Sequence, residues 1–342
     1  MIAFPGSERR SGSEHPAPVL VRLPNYVGDS VMAWPALARL IAAGLHPSLL
    51  GPRWAADLFA GSGLAIDPYP RGLGARLTTL RHVAQRSGGR RILLLTHSFS
   101  SALEARLAGL AAIGFRKDGR GPLLTTSMGV FPRGHQVDAY WRLADGLCPP
   151  AAAPDTVRLP ITETARATAR ARLEAAGIAD RFVLLCPQSG GRHQGHDKDW
   201  PAFSDLADAL DRHGLITVAT PGPGEAEGQR QRLVRTRILD GLGLLDVAAI
   251  AEQAALVIAN DCGLGHVAAA AGTPILSLFG HTDPDRTRPR SPVAEVLGGT
   301  GWPSLDQTLA LTQRMLATGA ESRQPCLASQ ASRSHSYHSC GP

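Results

Sequence analysis

Three short stretches hold side chains whose types and spacing suit acid–base chemistry and the binding of phosphate. The first is "NYVGDS" (25–30), where Asp29 stands between an apolar run, "VLVRL", and a helical run, "VMAWPALARL". A carboxylate at that junction serves either as a helix cap or as a general base. The second is "CPQSGGRHQGHDKDWP" (186–201), in which an apolar run enters a polar, glycine-rich loop and Lys198 precedes Trp200-Pro201 at a helix start. Ser189, Gly190 and Gly191 suit a nest of backbone amides around phosphate oxygens, with Lys198 as a point positive charge. The third is "ALVIANDCGLGHVAAAAGTPILSLFG" (255–280). Here a buried strand ends at Asn260-Asp261, and Cys262, Gly263, Leu264, Gly265 and His266 open a helix of small residues. The glycines let backbone approach a ligand, and the free amides and dipole of the helix start favour an anion.

Each feature also has a bland reading. Asp261 could be a plain N-cap, and His266, one turn into its helix, is by itself more simply a satisfied core histidine. Composition sharpens Lys198, because only it and Lys117 are lysines among 35 basic residues. In so arginine-biased a chain, a lysine in a glycine-rich loop is not a neutral surface choice. Glu225, in "TPGPGEAEGQ" (220–229), could accept from ribose hydroxyls or merely favour a helix start. His193 and His196 beside Asp197 raise the idea of a metal, but the spacing matches no established ligand pattern. No metal and no cofactor is expected.

These side chains must be carried by elements that bring strand ends together. Short apolar runs alternate with longer amphipathic ones. Strands are predicted at 19–23, 48–51, 91–96 and 112–115, with helices at 30–43, 73–86 and 99–109. In the second of these helices Leu73, Leu77, Leu80 and Ala84 share a face at helical spacing. Pro35 predicts a kink, or a helix start near Trp34. The Pro/Ala-rich "CPPAAAPDTVRLP" (148–160) reads as a linker. A second series follows: helices at 162–176, 201–213, 224–235, 246–253 and 264–271, strands at 182–186, 215–220, 237–239, 255–260 and 274–279. Buried β-runs alternating with helices imply parallel sheets joined by right-handed crossovers. The fold class is therefore α/β, two Rossmann-like domains whose sheets face a cleft. Ligands in such sheets sit beyond the carboxyl ends of the strands, and every loop singled out above directly follows a predicted strand.

The domain limits expected are 19–150 and 151–317, between a disordered arm (1–18) and a Ser-rich disordered tail (318–342). At 342 residues with 44% hydrophobic and 19% charged content, the chain is globular and large enough for two cores. It has no apolar run of membrane-spanning length and no signal-peptide core, so a cytoplasmic location is the default. The five scattered cysteines are expected as free thiols. Residues 1–150 hold 17 Lys+Arg against 9 Asp+Glu, while the remainder hold 18 against 20. A basic first half suggests an anionic partner or simply a solvated arginine-rich surface. Aromatics at 5%, with no stacking motif, argue against nucleic acid.

Taken in order, "NYVGDSVMAWPAL", "DKDWP", "PGPGEAE" and "NDCGLGHVAAAAGTPILSLFGHTDP" resemble the bacterial ADP-heptose:lipopolysaccharide heptosyltransferases of glycosyltransferase family 9. "THSFSSALEARLAGLAAIGFR" (96–116) is similar to the heptosyltransferase II branch, and the resemblance covers about 19–317. It implies a GT-B-type fold and metal-independent, inverting transfer of a heptose from ADP-heptose to the inner core of lipopolysaccharide. It implies Asp29 as catalytic base, Lys198 at the donor diphosphate, and Glu225 at the ribose. Ser189, Gly190, Leu242, Asp261, Cys262, Gly263, Leu264 and His266 complete the implied donor site. Cys262 stands where Ser or Thr is usual, and the loop to Lys198 carries an extra-looking "RHQGHD". Both departures bear on donor choice, so another nucleotide sugar, a protein acceptor, or a nucleotide-binding protein without catalysis remain alternatives. The anionic acceptor implied would suit the basic first half. Asn25, Arg71, Arg76, Arg81 and Arg86 are candidate acceptor-facing residues, and the arginines a candidate patch against the inner face of the inner membrane. A Rossmann dehydrogenase ranks low, because "PNYVGDS" after the first strand carries no G-x-G-x-x-G fingerprint.

Overall fold

A computed structural model describes residues 17–130, 134–189, 192–193 and 196–321. Two six-stranded parallel sheets form the frame. The first contains β1 (Ala17–Arg22), β2 (Leu45–Gly51), β3 (Ile66–Pro68), β4 (Arg91–Leu94), β5 (Ala111–Phe115) and β6 (Thr126–Met128), in the order β3-β2-β1-β4-β5-β6. Its helices are α1 (Val27–Ala42), α2 (Ala55–Leu58), α3 (Leu73–Ser87), α4 (Phe99–Leu107) and α5 (Gln136–Leu143).

Helix α6 (Glu163–Ala175) leads into the second lobe. There β7 (Phe182–Cys186) is followed by a two-residue antiparallel pair, β8 (Arg192–His193) and β9 (His196–Asp197), and then α7 (Phe203–Arg212), β10 (Ile216–Ala219), α8 (Ala226–Arg232), β11 (Arg237–Ile238) and α9 (Leu244–Gln253). The chain continues through β12 (Leu256–Asn260), α10 (Gly263–Ala271), β13 (Ile275–Phe279), α11 (Pro284–Thr287), β14 (Ala294–Gly298) and α12 (Leu305–Glu321), giving the order β11-β10-β7-β12-β13-β14. The β7 run "FVLLC" is buried throughout, as a parallel strand covered on both faces must be.

Several expectations shift. Helix α1 starts at Val27 and runs through Pro35, so the proline is held in the helix by packing rather than starting it. In α3 the buried positions are Leu80 and Val83, and Leu73 is 50% exposed; the inner face is narrower than the leucine spacing suggested. β1 begins at Ala17, inside the expected arm, because an alanine and a proline fit the extended first residues of a strand. α12 extends to Glu321, past the expected start of the tail. Residues 1–16 and 322–342 lie outside the described residues.

The 148–160 stretch is a strap. Trp141 Nε1 donates to the Ala151 carbonyl (2.7 Å), and the Leu159 amide donates to Ala270 (3.1 Å). The first-lobe core, with Leu37, Leu40 and Tyr140, runs on into Ala248, Val267 and Ala270 of α9 and α10. Arg290 of the second lobe grips Asp138 through two bonds, 2.6 and 2.7 Å, and the His135 ring meets the Arg288 carbonyl at 2.7 Å.

Candidate active site

The starts of α1 and α10 meet at the junction of the lobes. A Cβ on Gly28 would lie 2.8 Å from His266 Cδ2, and one on Gly263 would lie 2.8 Å from Val27 Cβ. Only glycine permits so close an approach. The amide-rich starts of two helices, one from each lobe, thus point into one region, and their dipoles add there.

Asp29 sits in the first turn of α1. Burial pushes its carboxyl above the usual aspartate range, and Asp261 adds to that; a hydrogen bond with the Tyr140 hydroxyl and the charge of Lys198 pull it back. The Tyr140 phenol is itself raised well above its ordinary value, chiefly by burial, and also bonds Gln136. Tyr140 lies on α5, a helix that the hydrophobic pattern did not reveal, and nothing in the local sequence singles it out.

Across the junction Lys198 Nζ lies 2.8 Å from Asp261 Oδ2. Its loop is anchored on both sides. The Ser189 amide and hydroxyl each donate to Asp199 Oδ1 at 2.8 Å, the Trp200 amide donates to Asn260 Oδ1 (3.0 Å), and Asn260 Nδ2 donates to the Pro187 carbonyl (2.6 Å). Asn260, at the end of β12, therefore ties the lysine loop to the 260–266 turn. Gly190 and Gly191 lie outside the described residues, as do the side chains of His193, His196 and Asp197.

Cys262 is the N-cap of α10 and its thiol makes no capping bond. Burial pushes that thiol up to about 12, against the pull of the Gly265 and Leu264 amides beside its sulfur, so it stays protonated, a weak acceptor that an anion outcompetes for those amides. His266 is only 6% exposed, and burial lowers its ring to about 4, against a pull upward from Asp261. It is neutral at ordinary pH, and its ring N–H donates to the Thr287 carbonyl. Leu264 is half-buried beside it. Glu225 accepts from the Gly222 amide (2.9 Å), so it braces its own turn. Leu242 is half-buried just before α9.

The candidate acceptor-facing residues divide. Asn25 is exposed and its side-chain oxygen accepts from Arg22 Nη2 (2.7 Å). Arg76 pairs with Glu104 (2.8 Å), Arg81 donates to the Leu107 carbonyl (2.9 Å), and Arg86 grips Asp67. Those three brace α3, while Arg71 is exposed. Beside them Arg22 stacks on the Tyr69 ring (4.2 Å), whose hydroxyl donates to Glu104 (2.6 Å). The sequence reading missed this cluster, because its members come from β1, the end of β3, α3 and α4.

Two Rossmann-like lobes facing each other across such a junction are the layout of a glycosyltransferase of the GT-B type. The structure of Escherichia coli ADP-heptose lps heptosyltransferase II superposes with a TM-score of 0.72 at 22% identity, covering 89% of this chain and 99% of that one. Lipopolysaccharide heptosyltransferase 2 of E. coli K12 is 27% identical over 82% of this chain and 87% of its own length. Lipopolysaccharide heptosyltransferase 3 of E. coli K12 is 34% identical over 33% of this chain, a stretch spanning 35% of that protein's length. The model of glycosyltransferase family 9 (heptosyltransferase) matches residues 81–312, and the chain belongs to that family.

Proposed function

We propose that this glycosyltransferase moves a heptose from ADP-heptose to the inner core of lipopolysaccharide, with inversion and without a metal. The names carried by the relatives above support the donor and the acceptor. The observation that carries the reading is the placement of Asp29, in the first turn of α1, within electrostatic reach of the Lys198–Asp261 pair. Inverting transfer needs a base on one side of the sugar and stabilisation of the leaving group on the other. Asp29 accepts the proton of the acceptor hydroxyl as that oxygen bonds the anomeric carbon. The bond from that carbon to the diphosphate oxygen breaks, and ADP departs with its new negative charge. Lys198 and the amides of the 262–266 turn receive that charge, the anion outcompeting the weakly accepting Cys262 thiol for the Leu264 and Gly265 amides. A diphosphate competes with Asp261 for the ammonium, so Lys198 exchanges one anion for another rather than leaving a bare charge.

The lobes divide near residue 150 in this reading, with acceptor on the first and donor on the second. No helix among the described residues is long and apolar enough to cross a membrane. The enzyme works in the cytoplasm in this reading, and a lipid-borne acceptor would bring its exposed surface, Arg71 included, to the inner membrane. Calorimetry with ADP, UDP, GDP and NAD, followed by product analysis with ADP-heptose and a truncated core acceptor, tests the assignment. Tight binding of UDP or NAD with no response to ADP would overturn the donor.

A further inference from the structure

Helix α9 begins with no side-chain oxygen at its N-cap. Its N-cap is Gly243, which has no side chain to offer, whereas Ser, Thr, Asp or Asn ordinarily supplies the oxygen that takes the first free amides. The missing oxygen comes from the other lobe. Asp57, on α2, accepts hydrogen bonds from the amides of Leu244 and Leu245. The fit excludes a side chain at the cap, since a Cβ on Gly243 would lie 2.6 Å from Oδ2 and 2.7 Å from Oδ1 of Asp57. The Gly243 amide turns back to Asp246 Oδ2 at 3.4 Å, so the start of α9 is completed by one carboxylate of its own and one from across the junction. Burial raises the Asp57 carboxyl, with a further push from Asp246, and the two amides pull it down. Immediately before this cap lies Leu242.

We propose that Asp57 is an interlobe cap, a positioning residue of the first lobe that fixes the start of α9, and with it the nucleotide-facing 241–244 loop of the second lobe, while the lobes are together. This rests on the reading of Leu242 as a donor contact. In an isolated second lobe only water accepts from these two amides, so lobe apposition favours loop order. By linkage, a nucleotide held by the ordered loop favours the joined lobes to the same extent that joining favours the nucleotide.

The test uses the full chain with Asp57→Ala and with Asp57→Ala/Gly243→Ser. In the double variant the serine Cβ enters the space the carboxylate left, and its hydroxyl gives α9 a cap within its own lobe. Three quantities are read: amide exchange over 243–253, ADP affinity by calorimetry, and the radius of gyration by small-angle scattering. Asp57→Ala is expected to speed exchange at the first amides of α9, enlarge the radius, and weaken ADP by about three- to tenfold, the scale of losing a cap. The double variant should restore slow exchange and most of the ADP affinity while the radius stays enlarged. Unchanged exchange and radius in Asp57→Ala overturn the inference, and so does a return to the wild-type radius in the double variant, which would make Asp57 a local helix cap only. If the wild-type chain binds no ADP, the donor reading fails by itself. Exchange and scattering then decide the cap: an enlarged radius persisting in the double variant supports it, and an unchanged one refutes it.

Discussion

Replacing Gly28 with alanine pits two well-defined effects against each other. At an ordinary helix position the change stabilises by about 0.5–1 kcal/mol, because glycine loses more backbone entropy on folding. At Gly28 the new methyl would lie 2.8 Å from His266 Cδ2, 3.4 Å from its Nε2 and 3.5 Å from Gly263 Cα. Carbon atoms rest near 3.5–4.0 Å, so roughly 0.7 Å must be made up. The imidazole cannot yield it, since the ring is buried and tied to the Thr287 carbonyl. The strain falls on the lobe junction, where overpacking costs about 1–3 kcal/mol. The net result is a destabilisation of roughly 0–2.5 kcal/mol, the difference between these ranges. Turnover suffers more, because the next residue is Asp29 and a misplacement approaching 1 Å costs on the order of 100-fold. Initial rates with donor and acceptor, read beside thermal unfolding, should show kcat down about 10- to 100-fold with the donor KM changed far less. A Gly28→Ala enzyme that melts higher and turns over normally would refute the argument, since it would mean that α1 and α10 do not meet during the reaction.

Other expectations concern the charged groups of the same junction. Asp29→Asn should keep ADP affinity and lose turnover by about 10²–10⁴-fold, the usual worth of a general base; equal loss of both would make Asp29 structural. Because burial raises Asp29, the acidic limb of kcat should lie above the ordinary aspartate range, activity rising with pH through it. Lys198→Ala should weaken ADP by about tenfold and adenosine hardly at all, since only ADP offers a diphosphate to the ammonium; equal weakening would remove the lysine from the diphosphate. His266 is held neutral to about pH 4 by burial, against 6.5 in the unfolded chain. The unfolded chain thus binds more protons between those values, and stability should fall as pH drops through the window, on the order of 1 kcal/mol per pH unit. Urea unfolding from pH 7 to 5 checks this, and a slope that persists in His266→Gln would assign it elsewhere, beginning with His97, which burial also lowers to about 4.

The second lobe was legible because its signals are local. "FVLLC" and "LVIAN" are continuous apolar runs, and the glycines of 263–265 announce a strand-to-helix turn within a few residues. Asp29, Lys198 and the 261–266 turn stand out as candidates for the same reason, each lying where a strand run gives way to a helix run. What escaped depends on neighbours distant in sequence. β3, β6 and β14 are short or half-exposed strands whose pairing, not composition, makes them strands. Tyr140 and Asp57 gain their roles only when a partner more than 100 residues away comes into place. The arginines of α3 looked like a free basic row because charge can be counted along a chain, whereas Glu104, Asp67 and the Leu107 carbonyl, which occupy three of them, arrive from other elements.

The same contrast explains how the junction could hold a base at useful strength. A carboxylate in the first turn of a helix is ordinarily favoured in its charged form, which would make Asp29 a weak base. Burial works against that, and Asp261 adds to it, while Lys198 and Tyr140 restrain the rise. In the structure Lys198 is already paired with Asp261, so much of its charge is spent locally. A donor diphosphate entering the cradle adds negative charge to the side that faces Asp29, and a nearby like charge raises the proton affinity of a carboxylate. In the proposed mechanism Asp29 therefore becomes a stronger base when the leaving group is in place, which is when the acceptor hydroxyl must give up its proton. Placing the carboxylate and the lysine on separate lobes ties that gain to the joined state, where Gly28 and Gly263 allow the two helix starts to touch.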